Sequence, residues 1–276
     1  MIKLAAASIC SVFCLAAPAI SEECYAYNGW EAVAEKALTH TIFFAELHGT
    51  NESPQAVRSF ICELAKEGVS IRYGIETSKS QTEALSGALR QPFDLQAIKT
   101  AAPNLWASHD GNSSQAALKT LEYIAALKSG GADIDVFAFV ESDIDVHGQL
   151  GHETSMARNI DAVTKDFDGA VIVLIGASHA TLNPRGSAKV GGSAAAEIQE
   201  RPPFVLKMLY KSGQIWANMY LSTGEAVPPP QKVSSFILVD GADQSFSLSS
   251  KDGYESGYYY TGTVSPSPPA FPSKPD

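Results

Sequence analysis

Four short apolar runs, each followed by a carboxylate or an imidazole, constrain this chain more than any other feature. Thr41-Ile-Phe-Phe-Ala45, Ser70-Ile-Arg-Tyr-Gly-Ile75, Asp135-Val-Phe-Ala-Phe-Val140 and Gly169-Ala-Val-Ile-Val-Leu-Ile175 have the length and apolar content of strands buried on both faces. Helix-like segments lie between and around them. Asn51, Ser53 and Pro54 open one that runs to Lys66 and stops at Gly68; others span Gln81–Leu89, Ser113–Lys128 (stopped by Gly130-Gly131) and His152–Asp166. Strands alternating with helices of this length predict an α/β fold, a mostly parallel sheet flanked by helices. Residues Gln91–Gly111, with Trp106 and His109, read as an irregular insertion near the mouth of any site. After Pro203 the pattern changes. Phe204–Tyr210, Gln214–Tyr220 and Phe236–Val239 are expected to be later strands, some of them antiparallel.

The two ends differ from this middle. Residues 1–21 carry one positive charge, Lys3, then an apolar stretch from Leu4 to Ala17 and small residues around Ala17-Pro-Ala19. That is the layout of a secretory signal peptide, with an uncleaved anchor as the alternative. The apolar stretch falls short of the about 20 residues that span a bilayer. The mature chain is therefore expected to be exported, periplasmic or secreted, with no membrane span. Cys10 and Cys14 leave with the signal. Cys24 and Cys62 remain, and an oxidising compartment favours a disulfide between them over two buried free thiols. From Val264 the chain is rich in Pro and Ser, so residues 264–276 are expected to form a disordered tail, leaving 22–263 as one α/β domain. A net charge of -10, without any run of Lys or Arg, argues against nucleic acid as a partner.

In open parallel sheets ligands bind beyond the carboxyl ends of the strands. Strand one runs into Glu46-Leu-His48, strand two into Glu76, strand three into Glu141-Ser-Asp143-Ile-Asp145, and strand four into Gly176-Ala-Ser-His179. A single Glu after a strand is commonly a solvated loop residue, and Asp143 and Asp145 are ordinary turn formers. Four populated strand ends together point to a site, because gathering ionisable groups is costly without a use. Two chemistries suit the set. In one, His48 or His179 takes a proton from water while a carboxylate orients the ring. In the other, Glu46, His48 and His179 hold a divalent metal that acidifies bound water. There is no HExxH, and Gly176-Ala-Ser178-His179 lacks the second glycine of a serine-hydrolase elbow.

These residues carry a resemblance. Ala45-Glu46-Leu47-His48-Gly49-Thr50-Asn51-Glu52 resembles the first, GExH-type signature of the erythromycin esterase, ChaN and Tiki/TraB superfamily, with Ala45 in place of the usual glycine. Gly176-Ala-Ser-His179-Ala180 resembles its second, GxxH element. Gly74-Ile75-Glu76 resembles the strand-end glutamate, Arg58 stands where the esterase branch places an arginine, and His152-Glu-Thr-Ser-Met-Ala-Arg-Asn159 resembles the helix before the second element.

The resemblance spans roughly residues 43–182, and it implies different things along its branches. The esterase branch implies ester hydrolysis with His48 as general base, Glu46 and Glu76 positioning, and Arg58 or His179 stabilising negative charge. The Tiki branch implies a metallopeptidase-like site. The ChaN branch implies a haem-binding uptake protein, for which Tyr254 and Tyr258-Tyr259-Tyr260 are the candidate axial ligands. Hydrolysis of a small-molecule or peptide substrate uses the paired carboxylates, which haem binding leaves unexplained, so hydrolase is the favoured expectation and haem binding the alternative. His147 is a candidate accessory residue.

Overall fold

The structure is a computed structural model that describes residues 24–90, 92–107, 111–141, 144–182, 192–217, 219–220, 226–227, 229–234, 244–249 and 256–271. The expected signal segment, the strand expected at Phe236–Val239, His109, Asp143 and Tyr254 lie outside the described residues.

The chain runs α1 (Trp30–Ala37), β1 (Thr41–Glu46), α2 (Glu52–Lys66), β2 (Ile71–Ser78), a 3-10 turn at Lys79–Gln81, then α3 (Thr82–Ala88), α4 (Leu95–Ala101), α5 (Pro103–Ala107) and α6 (Gln115–Ser129). It continues through β3 (Ile134–Val140), α7 (Ile144–Thr164), β4 (Ala170–Gly176), a second 3-10 turn at Ala177–Ala180, α8 (Ala194–Glu197) and β5 (Pro203–Ile215). The short strands β6 (Met219–Tyr220) and β7 (Ala226–Val227) pair with each other, and β8 (Gln231–Ser234), β9 (Ser245–Ser249) and β10 (Ser256–Val264) join the main sheet.

The main sheet has the order β3-β2-β4-β1-β5-β10-β9, with β8 paired to β5. Its pairs are parallel from β3 across to β10, while β9 and β8 run antiparallel to their neighbours. The α/β class, the parallel sheet and the later antiparallel strands expected from the sequence are all present.

Alternation along the central strands explains the two helical layers. Ile42, Phe44, Tyr73, Ile172, Leu174 and Phe204 face one side, packed with Phe60, Leu64, Leu121 and Ile124 of α2 and α6. Phe43, Ala45, Phe137, Val171, Val173, Ile175 and Val205 face the other, against Met156 and Ile160 of α7 and Ala194 and Ala195 of α8. Strands buried on both faces must read as continuous apolar runs, which is why they are conspicuous in the sequence.

Several expectations need correction. The insertion at 91–111 is not irregular throughout, since it contains α4 and α5; Asp94 caps α4 by accepting from the Gln96 and Ala97 amides. Residues Gln214–Tyr220 are not a strand of their own: β5 continues through Ile215 and Trp216-Ala217 lie beyond it.

The tail departs most. Ser265–Phe271 lies along the body as an extended strap, with isolated bridges Thr50–Pro266 and Ser114–Pro269. Ser267 is fully buried, and Phe271 packs edge-on against Trp106 at 5.1 Å. Prolines forbid a helix or a full ladder, yet they leave carbonyl acceptors and non-proline amides free to bond elsewhere. Residues 272–276 lie outside the described residues.

Cys24 and Cys62 form a disulfide that ties the start of the described chain to α2. No helix among the described residues is long and apolar enough to cross a membrane.

Candidate functional site

The strand order builds the site. With β4 inserted between β2 and β1, the carboxyl ends of three adjacent strands deliver Glu76, Gly176 and Glu46 to one edge. His48 follows β1 by two residues, and the 3-10 turn after β4 presents His179.

Each histidine is held from behind by a buried carboxylate. His48 Nδ1 lies 2.7 Å from Glu46 Oε1, and His179 Nδ1 lies 2.7 Å from Glu153 Oε1. A carboxylate accepts, so Nδ1 carries the proton in each ring and Nε2 faces the site. The two Nε2 atoms then converge on opposite oxygens of a single side chain: His48 Nε2 is 3.8 Å from Glu76 Oε2, and His179 Nε2 is 3.7 Å from Glu76 Oε1. The Gly176 amide donates to Glu76 Oε2 at 2.7 Å, and the Ala194 amide donates to Glu153 Oε2 at 2.9 Å. The five side chains form one chain of contacts, Glu46–His48–Glu76–His179–Glu153.

Close approach at the centre depends on Gly176. A Cβ there would stand 2.7 Å from His48 Nε2 and 3.5 Å from a ring carbon of His179. The turn carrying His48 is equally tight. Gly49 has φ +74°, and its carbonyl accepts from the amides of Trp216 and Ser267 at 2.9 and 2.8 Å. Beside it opens a cavity of about 20 Å³, room for one water, lined by Glu46, Glu76, Tyr73, Asn112, Leu105 and Leu174 among others.

Burial pushes the Glu76 carboxyl above the usual carboxylate range, as does the Glu46 charge; His48, His179 and the Gly176 amide pull against them. Burial alone would lower the His179 ring, but the hydrogen bond to Glu153 and the charges of Glu76 and Glu153 outweigh it, and the ring lies above its ordinary value. Neighbouring His152 moves the other way: burial lowers it, the His179 charge adds to that, and Glu153 opposes. Its ring meets that of His179 edge-on at 5.8 Å.

Of the residues singled out from the sequence, Glu46, His48, Glu76 and His179 come together. Arg58 does not join them. It lies on α2 toward α6, where one guanidinium nitrogen approaches the Ala116 carbonyl at 3.4 Å and the side chain lines a groove beside the disulfide. The stripe of α2 that meets the sheet is Ser53, Ala56, Val57, Phe60, Ile61 and Leu64, and position 58 falls off it.

Glu46, His48 and His179 do not fit a divalent ion as a set. Glu46 is engaged on Nδ1 of His48 rather than on the nitrogen that faces Glu76, and among the described residues no three His, Cys, Asp or Glu side chains form a group suited to a metal. Of the candidate haem tyrosines, Tyr258, Tyr259 and Tyr260 lie on β10. Tyr259 is fully buried, donating to the Ala45 carbonyl at 3.0 Å and bonded to the Ser53 hydroxyl, so it supports the start of the site from within the core.

Glu153 is the functional residue that sequence reasoning missed. The buried face of α7 runs Glu153, Met156, Ala157, Ile160, Thr164, and a carboxylate continuing an apolar stripe was the available signal.

No family model matches the chain, and no curated protein matches it. Solved structures do resemble it in fold. One is a protein from Bacillus cereus, with TM-score 0.58 and 10% identity, covering 83% of this chain and 90% of that one. Another is a succinoglycan biosynthesis protein, with TM-score 0.59 and 8% identity, covering 90% of this chain and 93% of that one. ChaN of Campylobacter jejuni, in a structure of cofacial haem binding, is more distant at TM-score 0.44 and 10% identity over 65% of this chain and 85% of its own, and carries no argument about this one. The first two likenesses show a shared fold alone.

Proposed function

We propose that this protein is an exported hydrolase of the erythromycin esterase, ChaN and Tiki type, which activates water between two carboxylate-backed histidines. The observation that carries the reading is the pair of Glu–His contacts whose Nε2 atoms face the two oxygens of Glu76.

The environment of His179 assigns the roles. His179 is held above its ordinary value by Glu153 and Glu76, which favours the protonated ring. It is the electrophile: its Nε2–H stabilises the oxygen of a carbonyl as that oxygen gains charge. His48 is the base. Glu46 keeps its proton on Nδ1 and stabilises the ring once charged, so Nε2 takes a proton from water, which adds to the carbonyl carbon. Glu76, anchored by the Gly176 amide, stands between the rings and orients that water. When the carbon–oxygen or carbon–nitrogen bond breaks, His48 returns its proton to the leaving group.

Export is supported by the disulfide, which fits an oxidising compartment.

The test is a panel of uncharged esters, lactones and peptides with the wild type, His48→Gln and His179→Gln. Hydrolysis lost in both variants while the far-UV and near-UV spectra are kept is the expected result. Activity that survives both substitutions, or none on any substrate class, overturns the reading. A Soret band saturating on haem titration of the same preparation would instead establish the haem-binding alternative.

A further inference from the structure

The segment expected to be a loose tail makes directed contacts to both sides of the site. Asn51 and Glu52, at the start of α2, are positioned to serve their own helix, yet Asn51 makes no side-chain cap. Its Nδ2 donates instead to Ser265 Oγ at 3.0 Å and to the Pro266 carbonyl at 3.1 Å. The Glu52 carboxylate accepts from the Ser265 amide at 3.0 and 3.1 Å and from its hydroxyl at 2.6 Å. On the far side, the first amides of a helix have no partner within it. In α6 the strap supplies two acceptors: Gln115 donates to the Pro268 carbonyl at 2.8 Å and Ala116 to Ser267 Oγ at 2.9 Å, while Ser114 Oγ takes the Ala117 amide.

Between these anchors the Ser267 amide donates to the carbonyl of Gly49, the residue after His48, and the Ala270 amide donates to the Ser113 carbonyl. Pro266, Pro268 and Pro269 have no amide to satisfy, and their fixed φ reduces the freedom lost when the strap docks. The amides of Ser265, Ser267 and Ala270 all donate to the body. Composition that argues against regular structure is here well matched to an extended clasp.

We propose that Ser265–Phe271 is a positioning element of the site, a clasp that fixes the His48 turn to the start of α6 and so holds the His48 ring on Glu46. The described hydrogen bonds of the clasp run to Gly49, Asn51, Glu52, Ser113 and the start of α6, whereas His179 is held by Glu153, which also receives the Ala194 amide of α8. The two histidines are therefore expected to respond differently to its loss. This rests on His48 being the base only for its catalytic consequence; the geometry is testable without a substrate.

The experiment is proton–nitrogen spectroscopy of the histidine rings in the mature chain, in a form ending at Val264, and in Glu52→Ala, which unfastens the strap without shortening the chain. Ring signals are assigned by loss in His48→Ala and His179→Ala. The expected result is that the His48 Nδ1–H signal leaves its hydrogen-bonded position and exchanges with water in both forms, while the His179 signal stays. With a substrate in hand, kcat falls more than KM rises. Both signals unchanged in the shortened chain would overturn the proposal. So would both signals lost together, since the strap would then serve only the fold as a whole. Because ring signals report geometry, a failure to find hydrolysis leaves this test intact.

Discussion

His179 and Glu153 are joined, Nδ1 to Oε1, at 2.7 Å although a strand and half of a helix separate them in the chain. Glu153 also receives the Ala194 amide, so one buried carboxylate ties α7, α8 and the turn after β4 to one histidine. Substituting Glu153→Gln keeps the volume and removes the charge. Hydrolysis is expected to fall roughly a hundredfold, the scale of losing a carboxylate behind a working histidine. The check is kcat/KM beside an NMR titration of His179, whose pKa must drop; an unmoved titration would show that Glu153 does not set the ring's charge.

Activity should fail on the alkaline side as His179 loses its proton. Its folded pKa is raised, so any stability it contributes is fully present below the unfolded value of about 6.5 and is lost as pH rises through the folded value. His152 is lowered, so its contribution is present above about 6.5 and lost as pH falls through its folded value. The two windows lie on opposite sides of the unfolded value. Urea melts across pH should show them separately, and Glu153→Gln should bring the alkaline limb of the rate profile to lower pH.

Gly176→Ala separates activity from folding. The added methyl would stand 2.7 Å from His48 Nε2, and the side chain that must give way is the ring proposed as the base. Stability should change by no more than about 1 kcal/mol because a side-chain end moves rather than backbone, whereas hydrolysis should fall roughly a hundred- to ten-thousand-fold. Equal activity in the variant would mean that His48 works from another position.

The disulfide should be silent in the rate and visible in stability. Cys24 and Cys62 are 38 residues apart, and closing a loop of that length stabilises by about 4 kcal/mol. Both thiols should resist alkylation until reduced. Replacing both with alanine should lower the free energy of unfolding without altering the ring signals of His48.

Much of this was legible in the sequence, for physical reasons that differ by element. β1 and β4 are buried on both faces, so unbroken apolar runs were required of them, and whatever follows such a run lands at the sheet edge. Glu46, His48, Glu76 and His179 are therefore readable as strand-end residues from the sequence alone. Pairing order was not, because β2 and β1 each present similar edges and nothing local says that β4 will come between them. Glu153 was hidden since a helix with a long buried face tolerates one charge only through partners that arrive from distant segments. Arg58 stands apart from those four: matching a position on a helix does not give its facing, and one guanidinium nitrogen lies toward the Ala116 carbonyl of α6. The Pro-rich end was misread because composition excludes regular ladders but not an extended segment whose amides bond one by one.

The insertion of β4 between β1 and β2 has a consequence for how the chain matures. A chain released amino end first carries both strands that flank the gap well before the strand that fills it, and through that interval two hydrogen-bonding edges stand open. Glu46 and Glu76 become neighbours of one site only when residues 170–176 pair with both, and the same event brings in the second histidine. Closing the gap between β1 and β2 and gathering Glu46, Glu76 and His179 are thus one and the same event, while β5, β10, β9 and β8 only widen the sheet beyond it.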